Sequence, residues 1–211
     1  MVKGGYAMIN AAKTTDSIPL EEYRFKELPC IQRLPSSLDK VNHLLDGGLA
    51  FGQISEWGIP WGNQGRQLIL SFLTMALQQG QWCLWVQRPS DTTAYAPAWQ
   101  ALGVPLERLK FVEVDDPIQA LKPLFMSDFF KVIIIDCPLT PKEYAFLAKR
   151  ARVNRQLIIT IRSHYLSTKL GNVWAKSRLN CWMDPLNERF YLRVIKGASP
   201  RQFSFTLAKG A

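Results

Sequence analysis

Histidine is nearly missing from this chain: among 211 residues only His43 and His164 occur. Neither lies in a nucleophile motif, so catalysis of the Ser–His or Cys–His kind has almost nothing to work with. Both read as surface or helix-end residues. Cysteine is sparse as well, since Cys30, Cys83, Cys137 and Cys181 stand singly and mostly inside apolar runs. They have neither C-x-x-C spacing nor the histidines that would complete a metal site, so buried thiols in a reducing compartment are expected, and no metal. No window approaches the uninterrupted apolar length of a membrane span, and the N-terminus lacks the basic-then-apolar pattern of a secretory leader. A cytoplasmic protein is expected. Repeats and low-complexity tracts are absent. Acidic residues are in deficit, 17 against 26 lysines and arginines, for a net charge of +9. That field attracts polyanions, whether nucleic acid or an acidic protein.

What is present is apolar mass in an alternating order. Apolar residues make up 47% of the chain, enough to fill a substantial core. One globular domain over residues 28–211 is expected behind a weakly ordered arm, residues 1–27, which mixes Gly, Ala, Thr and charge without periodicity. An apolar stretch leads to Leu34-Pro35-Ser36-Ser37-Leu38-Asp39, where Ser36 or Ser37 can cap a short helix carrying Val41, Leu44 and Leu45. Gly47-Gly48 ends it. A strand over Gln53–Trp57 follows. From Gln67, the residues Leu68, Phe72, Met75 and Ala76 form one helical stripe and Ile69, Leu73 and Leu77 another. A helix so apolar around its circumference is buried.

Beyond Gly80 the alternation repeats. It runs through strand Trp82–Val86, helix Ala94–Leu102, strand Leu109–Val114, a helix near Ile118–Met126 bent at Pro123, and strand Lys131–Asp136. The capping box Thr140-Pro141-Lys142-Glu143 opens a helix to about Arg152, before strand Gln156–Ile161. This pattern predicts an α/β fold, a mostly parallel central sheet flanked by helices, with ligands at the carboxyl ends of its strands. The last part differs. Arg178–Met183, Arg189–Lys196 and Gln202–Leu207, joined by turns at Asp184–Asn187 and Gly197–Pro200, predict antiparallel strands at one edge.

The turn Gly58-Ile59-Pro60-Trp61-Gly62-Asn63-Gln64-Gly65-Arg66-Gln67 feeds a strand into the long helix, the shape in which backbone N–H groups and the helix dipole hold phosphate. Its side chains argue otherwise. A P-loop reads G-x-x-x-x-G-K-[ST], because the lysine reaches the β- and γ-phosphates and the hydroxyl holds Mg²⁺. Here Gly65 is followed by Arg66 and Gln67, neither Gly58 nor Gly62 has the motif's spacing, and Trp61 puts an indole in the loop. Arginine is bulkier and forked; glutamine has no hydroxyl. Asp136 ends an apolar strand where a Walker B carboxylate would hold Mg²⁺, a place that aspartate also takes as a turn or cap residue. The strand after the long helix ends Val86-Gln87-Arg88-Pro89, with no carboxylate to orient water before Asp91. Phosphoryl transfer depends on such positioning, so three losses together describe a pseudo-ATPase. Gly62, Gly65, Arg66, Gln67 and Asp136 are expected to form a vestigial nucleotide pocket, with no catalytic residue and no cofactor.

Several ordered segments resemble a RecA core. Leu34–Asp39 and Gly47-Gly48-Leu49-Ala50-Phe51-Gly52-Gln53-Ile54-Ser55-Glu56 look like its entry, and Tyr95-Ala96-Pro97-Ala98-Trp99-Gln100-Ala101-Leu102-Gly103-Val104 resembles its next helix. Asp136 matches the Walker B place, Thr160–Arg162 the end of the sensor strand, and Arg193-Val194-Ile195-Lys196 with Pro200 the late edge strands. Within that superfamily the chain resembles the ImuA family in its altered loop, its Tyr-Ala-Pro-Ala stretch and its missing lysine. The resemblance implies an SOS-induced, non-catalytic component of mutagenic translesion synthesis and DNA repair. Its implied partners are the Y-family-like protein ImuB, an error-prone polymerase subunit, RecA and DNA. Part of the chain is also similar to the division inhibitor SulA, which blocks FtsZ: Ile54-Ser55-Glu56, Leu77–Trp85, Gly103–Leu106 and Leu139–Glu143. A third reading is an atypical ATPase.

Cations gather after the middle of the chain. Lys149, Arg150, Arg152, Arg155, Arg162, Lys169, Lys176 and Arg178 form a candidate DNA or partner patch, as loops after the central strands of RecA relatives face DNA. Cations also collect at helix C-termini for the dipole alone. Among the tryptophans, Trp82 and Trp85 belong to a core strand. Trp57 and Trp61 flank the loop, where Trp61 fills the vacated pocket or anchors a partner.

Overall fold

Valine and isoleucine runs too continuous for a half-wet surface make the centre of the sheet. Phe130–Asp136 and Leu157–Arg162 are buried over almost their whole length, as β-branched residues covered on both faces should be. The protein is described by a computed structural model covering residues 31–62, 64–89, 94–169, 172–187, 189–197 and 202–206. The arm expected over residues 1–27 lies outside them. In chain order the elements are β1 (Arg33–Leu34), α1 (Asp39–Leu44), β2 (Leu49–Ala50), β3 (Gln53–Gly58), α2 (Arg66–Gln78), β4 (Trp82–Gln87), α3 (Ala96–Ala101), β5 (Leu109–Glu113), α4 (Pro117–Ala120), α5 (Lys122–Met126), β6 (Phe130–Asp136), α6 (Pro141–Asn154), β7 (Leu157–Arg162), β8 (Ser177–Asp184), β9 (Arg189–Lys196) and β10 (Gln202–Thr206).

Eight strands form one sheet in the order β10-β9-β8-β3-β7-β6-β4-β5, and β1 pairs with β2 apart from it. From β8 through β3, β7, β6 and β4 to β5 all neighbours are parallel, while β8–β9 and β9–β10 are antiparallel. The expected α/β fold with antiparallel edge strands is the one observed. β8 is the exception within that edge, because it runs parallel to β3. The chain leaves β7 at the carboxyl edge and crosses back before β8 begins, where the Lys176 N–H donates to the Ile54 carbonyl.

Two cores lie on the two faces. On one, α2 packs Leu68, Phe72 and Ala76 against Trp57, Trp85, Ile134 and Leu179. On the other, α6 packs Tyr144, Leu147 and Ala151 against Ile54, Ile133 and Ile158. The α6 capping box forms as the sequence predicts, with Thr140 N–H donating to Glu143 Oε2 at 2.6 Å. Two local expectations change. Ser36 does not cap α1; its hydroxyl meets Asn42 Oδ1 at 2.9 Å, and Leu38 takes the cap position without a side-chain bond. Pro123 does not bend one helix. It sits in the first turn of α5, where its missing N–H is harmless, after α4 has ended.

Candidate functional site

Strands β4 and β6 are neighbours, yet the helices that follow them, α3 and α6, pack on opposite faces of the sheet. The carboxyl ends between them therefore open into a crevice, the place where α/β sheets bind ligands. The turn from β3 into α2 borders the same crevice. It needs left-handed backbone at Gly62 (φ 79°) and at Gln64 (φ 53°), after which Gly65 leads into α2. A cavity of about 250 Å³ lies here, with Trp61, Gln64, Arg66, Trp85, Tyr95 and Asp136 among its walls.

Arg66 occupies the first position of α2 and Asp136 the last of β6. They are joined as a fork: Nε donates to Oδ2 at 2.7 Å and Nη2 to Oδ1 at 2.9 Å. Two parallel charge-assisted bonds are the strongest arrangement that such a pair has. The Trp61 indole lies over the guanidinium, 3.8 Å from ring centroid to Cζ, while remaining 47% exposed. Trp61 thus covers Arg66 instead of filling the crevice. Of the residues expected in a vestigial pocket, Gly62 and Gly65 belong to the turn beside this crevice, while Arg66, Gln67 and Asp136 line it. Its charges face each other.

Two carboxylates outside the expected site residues also stand toward the sheet's carboxyl end. Glu113 ends β5 beside Gln87, whose side-chain amide donates to Glu113 Oε1 at 2.7 Å. Glu56, on β3, is fully buried. It accepts from Arg162 Nε at 3.1 Å, Arg178 Nε at 3.3 Å, the Asn172 N–H at 2.9 Å and the Tyr144 hydroxyl at 3.3 Å. Burial pushes the Tyr144 phenol up to about 12, against the opposing pull of Arg162. The alternation of β3, apolar at Ile54 and polar at Glu56 on the same face, is the one hint the sequence offers.

The expected basic patch does not form as one surface. Arg178 is buried and Arg162 half-buried, both paired with Glu56. Lys149, Arg152 and Arg155 are exposed around the C-terminus of α6, beside the start of β7, and Arg150 lies half-buried over the Phe146 ring. Arg162 is at the other end of that strand, roughly 20 Å away at strand rise. Lys169 and Lys176 are exposed on the connection to β8. His43 and His164 are on the surface, as expected, and Cys83, Cys137 and Cys181 are buried; Cys30 and Asp91 lie outside the described residues. Trp57 and Trp85 are buried and Trp82 half-buried. Among the described residues no helix is long and apolar enough to cross a membrane. The sequence matches no protein-family model and no curated protein.

Proposed function

We propose that this chain is a non-catalytic RecA-like accessory subunit of an SOS-induced, mutagenic translesion-synthesis complex, working in the cytoplasm through contacts with other proteins and DNA. The observation behind the non-catalytic reading is the Arg66–Asp136 fork. A Mg²⁺–triphosphate site needs the aspartate free to hold the metal's water and a cation free to reach phosphate. Here each neutralises the other, and Gln67 offers no hydroxyl. Releasing them would break two charge-assisted bonds and the Trp61 stack before any phosphate contact forms. The partners follow from the ImuA-like segments: an ImuB-like Y-family protein, an error-prone polymerase subunit and RecA.

Two measurements test this reading. The purified chain, titrated with ATP in the presence and absence of Mg²⁺, is expected to show neither tight binding nor turnover. Micromolar affinity with turnover that disappears in Arg66→Ala would make it an atypical ATPase. In pull-downs the chain is expected to retain ImuB and release FtsZ; the opposite pattern would replace translesion synthesis with SulA-like division control.

A further inference from the structure

The antiparallel extension has one face in the core and one face open. Leu179 and Cys181 of β8, Phe190, Leu192 and Val194 of β9 and Phe205 of β10 point into the apolar core. Strict alternation sends Trp182, Tyr191, Arg189 and Arg193 to the other side. On that side α6 packs chiefly over β3 and β7. Trp182 and Tyr191 are a cross-strand pair whose rings lie within 6° of parallel, centroids 5.2 Å apart. Tyr165, 51% exposed, meets Trp182 edge-on at 5.7 Å. Along β9 the outward order is arginine, tyrosine, arginine, repeating about every 6.6 Å at strand rise. Arg189 and Arg193 are exposed and make no ion pair among the described residues. Asp184 sits across from Arg189, but its carboxylate accepts from the Leu186 N–H and the Asn187 amide of its own turn.

We propose that this face is a platform for single-stranded DNA, with the Trp182–Tyr191–Tyr165 cluster stacking bases and Arg189 and Arg193 contacting phosphates. A cross-strand aromatic pair by itself only stabilises a sheet. A half-exposed aromatic cluster, flanked by guanidiniums that make no ion pair among the described residues, on a molecule of net charge +9 matches a polyanion with flat apolar units. Every base presents a stacking face, and the backbone presents a phosphate for each arginine. A duplex hides its base faces, so single strands are preferred. The choice of DNA over RNA rests on the translesion reading; the stacking geometry does not.

Fluorescence anisotropy with labelled oligothymidylate of roughly 15 nucleotides, in about 50 to 200 mM salt, tests the platform. Binding is expected, with duplex of the same length bound more weakly. Trp182→Ala with Tyr191→Ala should weaken it about tenfold or more, while Trp182→Phe stays near the parent. Arg189→Glu with Arg193→Glu, at exposed positions that carry no packing, should weaken it and lower the salt slope by about 1.4. No oligothymidylate binding, equal affinity for duplex, or parental binding by the arginine pair variant would overturn the platform. Tighter binding of oligouridylate would overturn the assignment to DNA alone. The ImuB pull-down reads the translesion proposal independently, so either can fail without the other.

Discussion

At the scale of single residues, the decisive side chain is Arg66. A lysine there would present a point charge on a flexible stem. Arginine presents a planar fork that fits one carboxylate with two bonds and stacks flat under Trp61. Arg66→Ala should therefore lower stability by about 2 kcal/mol in urea unfolding, because it strands the Asp136 carboxylate in a largely buried place. A double-mutant cycle with Asp136→Ala should return a coupling of about 1 kcal/mol or more; independent, additive losses would mean that the fork does not hold the loop. The buried thiols make a second prediction. Burial pushes Cys83 from an ordinary 9.0 up to about 12 and raises Cys181 as well. The fold keeps both protons while the unfolded chain releases its own above pH 9. Their stabilisation is complete below that pH and fades as pH climbs toward the folded values. Unfolding free energy should fall by about 1.4 kcal/mol per pH unit for each thiol, and Cys83→Ser with Cys181→Ser should flatten that slope.

At the scale of elements, the end of β3 is where three segments meet. Gly58 pairs with Arg162 of β7 on one side and Asn180 of β8 on the other. Asn180 in turn clamps the returning segment, accepting from the Leu166 N–H at 2.7 Å and donating to the Leu166 carbonyl at 2.8 Å. A Cβ at position 58 would collide with Asn180 Oδ1 and stand 2.7 Å from the His164 carbonyl oxygen and 2.8 Å from the Leu166 nitrogen. Two of those neighbours are backbone and cannot step aside. Gly58→Ala should thus cost about 3 kcal/mol or more. Gly62→Ala meets open space and only a positive φ, so about 1 kcal/mol is expected there. Equal midpoints for the two variants in urea would disprove the close approach. The same crossing explains why β8 enters parallel to β3: the clamp fixes the segment at the carboxyl edge, and the chain must return before the strand starts.

At the scale of the molecule, Glu56 joins parts far apart in sequence. One buried carboxylate gathers Tyr144 from α6, Arg162 from β7, Asn172 from the return segment and Arg178 from β8. Glu56→Ala leaves two guanidiniums without their counter-charge and should lower stability by about 3–5 kcal/mol; Glu56→Gln should lose part of that, as the amide retains acceptor capacity but no charge. Unfolding curves that match the parent would show that the network is dispensable. The alternating architecture was legible because apolar runs such as Val132–Ile135 and the two adjoining apolar stripes of α2 admit few other solutions. So were the box at Thr140 and the glycine-bearing turn before Arg66, since capping and turn formation are local chemistry. The basic patch misread Arg162 and Arg178 because charge in a sequence carries no sign of burial, and their partner lies about a hundred residues upstream. The aromatic face of β8 and β9 was likewise out of reach: alternation says that Trp182 and Tyr191 leave the core, but only strand pairing brings them together. Periodicity and local turn chemistry determined which segments are strands and helices and that Arg66 and Gln67, not a lysine and a hydroxyl, follow Gly65. Tertiary structure alone decided which charges meet, because ion pairing falls steeply with distance, and distance across a sheet is set by strand order.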